Sequence, residues 1–338
     1  MGLNILLGSG VNNKNACQWR SSGGTLRTRM VDKVIIKEVA ARDGLQAQSV
    51  EITLDQRREL IEALARSNVP ELEIGSFVSP KAVPQMAGTD ELARDLPRGN
   101  SKFSALVPNM KGYELARREG IDQIAIVLSA TEQMNQNNIR KSLDDTFAMA
   151  GDILARARDE GVDIHAYLAV AFECPYEGKV SPQVVLEQAS ELMRNTPARL
   201  VIADTIGAAN PRDVKAMMTE LVTQFGAERL GCHFHDTRAM GLANVFAALE
   251  AGVRQFDSSA GGLGGCPFAP GAKGNVATED VVMMCESSGF STGIDMEALL
   301  ESVSCLTRMM GSQQGGRAHY WLTNNWQKFA NETGKKRA

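Results

Sequence analysis

No stretch of this chain approaches the roughly 18 consecutive apolar residues that a membrane-spanning helix needs, which excludes an integral helical membrane protein. An excess of positive charge is missing as well: 36 Lys and Arg stand against 40 Asp and Glu, a formal net charge of −4. Nucleic-acid-binding domains carry the opposite imbalance, so that class is set aside. The six cysteines (17, 174, 232, 266, 285 and 305) lack framework spacing and read as reduced thiols, not disulfide partners. Histidine is scarce, four in 338 residues, yet two of the four are separated by a single residue.

Acid is absent from the start of the chain. Residues 1–31 hold Lys14, Arg20, Arg27 and Arg29 and no Asp or Glu. Such a start marks some organelle transit peptides, but Gly8, Gly10, Gly23 and Gly24 spoil its helical amphipathicity. The expectation is a disordered leader or an upstream start codon, with Met30 opening the domain. A cytoplasmic location follows, or the mitochondrial matrix if the basic leader is a transit peptide. Leu6 stands where a myristoylation signal needs Ser or Thr.

From Val34 onward two periods alternate. Eight β-branched runs read as strands: Val34–Val39, Glu71–Phe77, Lys102–Val107, Gln123–Leu128, Asp163–Val170, Leu200–Ala203, Leu230–His235 and Val253–Ser258. Helical stretches lie between them, for instance Leu54–Ala65, Leu143–Arg158, Val184–Met193, Val214–Phe225 and Leu242–Ala251. Ser181-Pro182 and Asn210-Pro211 place a cap residue before Pro at a first helical position. The strand starts advance from 34 to 253 in seven steps, about 31 residues each. That spacing implies parallel βα units. An open doubly wound sheet would fit the alternation, but eight units without a phosphate fingerprint favour a closed (β/α)8 TIM barrel over residues 32–310, with additional C-terminal helices and a tail over 311–338.

In such a barrel the chemistry sits where the strands end. Ionisable residues gather there: Arg42 and Asp43 after the first strand, Glu73 in the second, Asp204 after the sixth, His233 and His235 at the seventh and Asp257 at the eighth. Residues two apart on a strand point to one side, so both imidazoles face the barrel mouth. They read as metal ligands with Asp43 or, alternatively, as hydrogen-bonded core histidines; nitrogen and oxygen donors without cysteine favour Mg²⁺ or Mn²⁺. Arg42 and Asp43 form either a surface ion pair or a buried guanidinium held by carboxylates, placed to stabilise charge on oxygen. Asp204 is a site residue or a cap for the next turn. Residues 261–274 contain six glycines around Cys266. This stretch is a mobile lid with an acid–base or nucleophilic thiol, or else a plain connector; it lacks the Lys-Ser/Thr of a phosphate loop.

Several of these stretches together resemble the hydroxymethylglutaryl-CoA lyase family of metal-dependent TIM-barrel lyases. They are Glu38-Val-Ala-Ala-Arg-Asp-Gly-Leu-Gln46, Ser76-Phe-Val-Ser-Pro-Lys81 with Val83-Pro-Gln-Met86, Cys174-Pro-Tyr-Glu-Gly178, Asp204-Thr-Ile-Gly207, His233-x-His-Asp-Thr237 and Gly261-Gly-Leu-Gly-Gly-Cys-Pro267 continuing to Gly274-Asn275 and Ala277-Thr-Glu-Asp280. The resemblance implies cleavage of 3-hydroxy-3-methylglutaryl-CoA to acetyl-CoA and acetoacetate, as in leucine degradation and ketone-body formation, by a homodimer acting on an acyl-CoA thioester. It implies Asp43, His233, His235 and Asn275 as ligands of Mg²⁺ or Mn²⁺ and Arg42 as enolate stabiliser oriented by Glu73. Cys266 becomes the acid or base, with Asp204 assisting proton transfer, and Gln46, Ser76, Tyr167 and Arg42 contact substrate. The Arg-Asp-Gly-x-Gln and His-x-His elements alone also fit condensing synthases; the Cys266 loop points to the lyase branch. Against the family pattern, Ala40-Ala41 replaces Gly-Pro, Glu173 replaces Gly, Arg238-Ala239 replaces an aromatic and Gly, and Val201 replaces a serine near the substrate carboxylate. These departures touch substrate identity and leave citramalyl-CoA or longer 3-alkyl homologues as alternatives.

Overall fold

The computed structural model describes residues 32–332 apart from Arg98, Asp122, Asn195 and 266–273. All eight anticipated strands form: β1 (Ile35–Glu38), β2 (Glu71–Ser76), β3 (Lys102–Leu106), β4 (Gln123–Ser129), β5 (Asp163–Ala169), β6 (Arg199–Asp204), β7 (Leu230–Phe234) and β8 (Gln255–Ser258). Every pairing between neighbours is parallel and follows chain order, and β8 closes on β1. The expected (β/α)8 barrel is the observed one. A short antiparallel hairpin, Glu173–Cys174 with Gly178–Lys179, is added after β5.

Local chemistry starts and stops the helices. In α1 (Leu54–Arg66) the Thr53 hydroxyl accepts from Gln56 N while the Gln56 side chain accepts from Thr53 N, a reciprocal capping box. The helices α2 (Thr89–Arg94), α3 (Met110–Arg118), α4 (Glu132–Ile139), α5 (Leu143–Glu160) and α6 (Pro182–Leu192) follow. Asn210 caps α7 (Pro211–Phe225), with Pro211 at a position whose N–H would be orphaned anyway. After α8 (Gly241–Glu250) and β8 come α9 (Thr278–Ser287), α10 (Met296–Met310) and α11 (His319–Glu332). The last lies within the stretch read as a tail; residues 1–31 and Lys335–Ala338 fall outside the described residues. No helix among the described residues is long and apolar enough to cross a membrane.

Strand alternation sorts the side chains into two unlike layers. Ile36, Leu72, Ile74, Leu168, Ile202, Phe234 and Phe256 join the large apolar layer between strands and helices. Inside the barrel only a small apolar cluster forms, around Ala125, Tyr167 and Val201. The charged and polar residues Lys37, Glu71, Glu73, Gln123, His165, His233 and Asp257 are buried as well. This barrel spends its interior on charge, where a purely structural one would pack Val, Ile and Leu.

Candidate active site

One wide turn, Ala40–Gly44, leaves β1 directly. Glu38 anchors it: the carboxylate accepts from Ala40 N at 2.8 Å, Ala260 N at 3.0 Å and Thr278 Oγ1 at 2.6 Å, joining β1 to the end of β8 and to α9. Burial pushes Glu38 up to about 7. From this turn Arg42 donates through Nε to Glu73 Oε2 and through a terminal nitrogen to Asp43 Oδ1, both at 2.5 Å. Arg42 is 7% exposed, so the surface-pair reading gives way to the buried one. Glu73 also lies 3.5 Å from Lys37 Nζ, and that ammonium sits 5.4 Å over the Tyr167 ring. Burial works against the Arg42 charge, but Glu73 and Asp43 outweigh it and hold the guanidinium protonated.

His233 is the penultimate residue of β7 and His235 follows the strand, with ring centroids 5.2 Å apart. One donor atom from each of Asp43, His233 and His235 falls within 4.8 Å of the others. His233 Nδ1 is 3.1 Å from Asp257 Oδ2, which orients the ring and leaves its other nitrogen for the cluster. His235 pairs with Asn275 in an isolated antiparallel bridge. The Asn275 amide donates to Asp43 Oδ2 at 2.8 Å and to Leu263 O at 3.2 Å. His235 Nδ1 and Asn275 Oδ1 remain buried without a hydrogen-bond partner.

Burial, then repulsion from His233, lowers His235 to about 4, so its ring is neutral at physiological pH. For Asp43, burial raises the carboxyl, but Arg42 and the two histidines pull it well below the ordinary range. Burial disfavours charge on His233 too, and the Asp257 contact overcomes it in the upward direction. The outcome is an ionised carboxylate, the neutral His235 ring and an amide oxygen converging with His233 in a buried place. A divalent cation fits that donor set and would satisfy the orphaned atoms.

The other expected site residues divide. Ser76 ends β2 with a buried, unpartnered hydroxyl. Tyr167 meets His233 edge-on, 6.3 Å between ring centroids. Gln46 is partly exposed just beyond the Arg42 turn. Asp204 pairs in register with Phe234, one position out of phase with the Ala203–His233 pair. Its carboxylate accepts from Ala208 N and Ala209 N at 2.8 and 3.0 Å, the hydrogen bonds of a turn cap, and burial raises it to about 6. Cys266 lies outside the described residues, but the two ends of its segment are pinched together. A Cβ on Gly274 would come within 2.5 Å of Gly264 Cα, and one on Gly264 within 2.7 Å of the Asn275 amide nitrogen. Lys37 escaped sequence reasoning, although a lysine inside the run Val34-Ile-Ile-Lys-Glu-Val39 was the available signal.

The family model HMGL-like matches residues 33–305. A hydroxymethylglutaryl-CoA lyase of Pseudomonas mevalonii is 40% identical over 286 residues, covering 84% of this chain and 95% of the relative. The chain belongs to the HMGL-like family. It is a carbon–carbon lyase, as the motifs led one to expect, and HMGL-like lyases depend on a divalent metal ion. An (R)-citramalyl-CoA lyase of Chloroflexus aurantiacus is 38% identical, covering 83% of this chain and 92% of that one. Among solved structures, the HMG-CoA lyase of Bacillus subtilis superposes with a TM-score of 0.84 at 38% identity, covering 87% of this chain and 99% of that chain.

Proposed function

We propose that this HMGL-like lyase cleaves 3-hydroxy-3-methylglutaryl-CoA to acetyl-CoA and acetoacetate. The observation that carries the reading is the convergence of Asp43, His233, His235 and Asn275 beside an Arg42 locked by Glu73. Those four residues would hold Mg²⁺ or Mn²⁺. A divalent cation at that place lowers the pKa of a substrate hydroxyl and favours negative charge on oxygen. As the hydroxyl proton leaves, the C2–C3 bond breaks, the former carbinol becomes a ketone, and the electron pair passes to the thioester as an enolate. Arg42 faces that developing charge as a fixed cation, and Glu73 spares it reorganisation. Cys266 carries a proton to or from the reacting atoms, protonating C2 of the acetyl-CoA enolate or relaying the hydroxyl proton. Asp204 assists that transfer from its capped position, and Gln46, Ser76 and Tyr167 line the substrate. A homodimer belongs to the same reading and is tested by analytical ultracentrifugation.

Substrate choice turns on the acyl end. Val201 is buried in the apolar cluster with Tyr167 and offers no donor to a terminal carboxylate. One unsatisfied acceptor costs about 1–3 kcal/mol, roughly ten- to a hundredfold in affinity. Two donors stand at the same end of the barrel: the Ser76 hydroxyl, and half-exposed Arg238, which is 3.0 Å from Glu173. With these available, hydroxymethylglutaryl-CoA remains the favoured substrate. The test is kcat/KM over hydroxymethylglutaryl-CoA, longer 3-alkyl homologues and citramalyl-CoA, with Mg²⁺ and with chelator. Another thioester preferred tenfold, with Val201→Ser reversing the preference, replaces the substrate but keeps the reaction. Activity untouched by chelator, or net condensation of acetyl-CoA with a 2-oxo acid and no cleavage, overturns the reading.

A further inference from the structure

The segment joining α10 to α11 is tied to the barrel mouth by consecutive backbone groups. Gly316 N donates to Glu279 Oε1 at 2.7 Å, Arg317 N to Asp280 Oδ2 at 2.7 Å and Ala318 N to Asp280 Oδ1 at 2.9 Å. Glu279 and Asp280 form the buried first turn of α9. The second Glu279 oxygen accepts from Gly261 N at 3.0 Å, at the head of the glycine-rich segment. Position 316 tolerates only glycine, since a Cβ there would lie 2.6 Å from both Ala277 Cβ and the Asp280 carboxyl.

The Arg317 side chain reaches further. Its Nε donates to Asp236 Oδ2 at 2.9 Å. The other Asp236 oxygen accepts from Gly241 N at 2.9 Å, and Asp236 N donates to Gly274 O at 3.0 Å. On the opposite flank Val276 N donates to Phe234 O at 3.1 Å. These two backbone hydrogen bonds bracket the His235–Asn275 bridge. Arg317 therefore grips the residue immediately after His235, and that residue grips the one immediately before Asn275.

We infer that residues 316–318 form a strap that sets the separation of His235 and Asn275, with Arg317 as a positioning residue acting through Asp236. This rests on the reading of Asp43, His233, His235 and Asn275 as a divalent-cation site. Partners that orient ligands typically change metal affinity 10- to 100-fold when removed, whereas an exposed ion pair without that role contributes almost nothing.

The experiment is titration of the full-length protein with Mn²⁺, followed by electron paramagnetic resonance of the free ion, alongside thermal melts. Arg317→Met should weaken Mn²⁺ binding about tenfold or more with little change in Tm, and Arg317→Lys should recover most of it. Gly316→Ala, which forces the strap off α9, should weaken binding in the same direction. Arg254→Met, which breaks an ion pair with Asp32 at the opposite end of the barrel, should leave affinity unchanged. Wild-type Mn²⁺ affinity in Arg317→Met overturns the strap, as does weakening that only tracks the folded fraction seen by circular dichroism. A wild-type protein that does not bind Mn²⁺ overturns the cation-site reading and the strap with it.

Discussion

At the N-terminal end of the barrel, Glu71 accepts from Gln255 at 2.9 Å and lies 3.6 Å from Arg199, which in turn reaches His165 Nε2 at 2.7 Å. At the C-terminal end, Asp43, His233, His235 and Asn275 also converge, with Asn275 donating to Asp43 at 2.8 Å and one ligand atom from each of the other three within 4.8 Å of the rest. Both ends bury charge in the same strands. The lower network pairs its anion with a cation and an amide donor, although His165 Nδ1 and Gln255 Oε1 stay buried there without partners. In the upper set both Asp43 oxygens are hydrogen-bonded, by Arg42 and by Asn275, and the unpartnered His235 Nδ1 and Asn275 Oδ1 belong to residues gathered around that carboxylate, where a cation would satisfy them. What separates the two ends is convergence: among the described residues only Asp43, His233 and His235 bring ligand atoms within 4.8 Å of one another.

The sharpest break of that comparison is to remove an upper ligand. Asp43→Asn or His235→Ala should abolish tight Mn²⁺ binding and lower kcat by about 10³ or more while Tm falls only a few degrees, checked by calorimetric titration and melts. Next, Arg42→Gln and Cys266→Ala should each lower kcat on the order of 10² or more, and Arg42→Gln should shift Mn²⁺ affinity as well, because Arg42 donates to Asp43. A variant turning over at the wild-type rate removes its residue from the mechanism.

Below the site the pattern should invert. Glu71→Leu leaves Arg199 and His165 without their carboxylate and should cost about 3 kcal/mol in urea unfolding, at the low end for a broken buried pair because Arg199 is 21% exposed. Its kcat per folded molecule should stay near wild type; a large loss of kcat would mean that the lower network is part of the site. The smallest effect concerns Glu38. Its folded pKa of about 7 exceeds the ordinary 4.5, so between those values the unfolded chain releases the proton first and stability falls as pH rises. Glu38→Gln lacks that term. The stability difference should therefore drift in favour of the variant by on the order of 2 kcal/mol from pH 4.5 to 7, read from urea midpoints. A pH-independent difference would show that the carboxyl stays ionised in the fold.

How far each residue could be read from the chain depends on the range of the interaction that gives it meaning. The eight strands were legible because β-branched runs and 3.6-period helices alternate on a short repeat, a local pattern. His233 and His235 were legible as a pair because two-residue spacing settles their shared face. Asp204 was only half legible: proximity to a strand end suggested the site, while its register with Phe234 and its two backbone donors make the observed contacts those of a cap. Lys37, passed over within an apolar run, is in the barrel a second cation on Glu73.

By itself, then, the sequence determined the period of the βα units, the positions where helices begin, the face of the two histidines and, through its motifs, the family. Each is set by residues within a few positions of one another or by a motif read in one line. Tertiary structure alone decided that Glu73 locks Arg42, that Asn275 lies against Asp43 and beside His235, and that a segment beyond residue 310 is tied to the rim that carries His235. Those contacts join residues tens to hundreds of positions apart. The Glu73 contact follows from the pairing of β1 with β2, whereas the Asn275 contact with Asp43 spans the closure of β8 on β1.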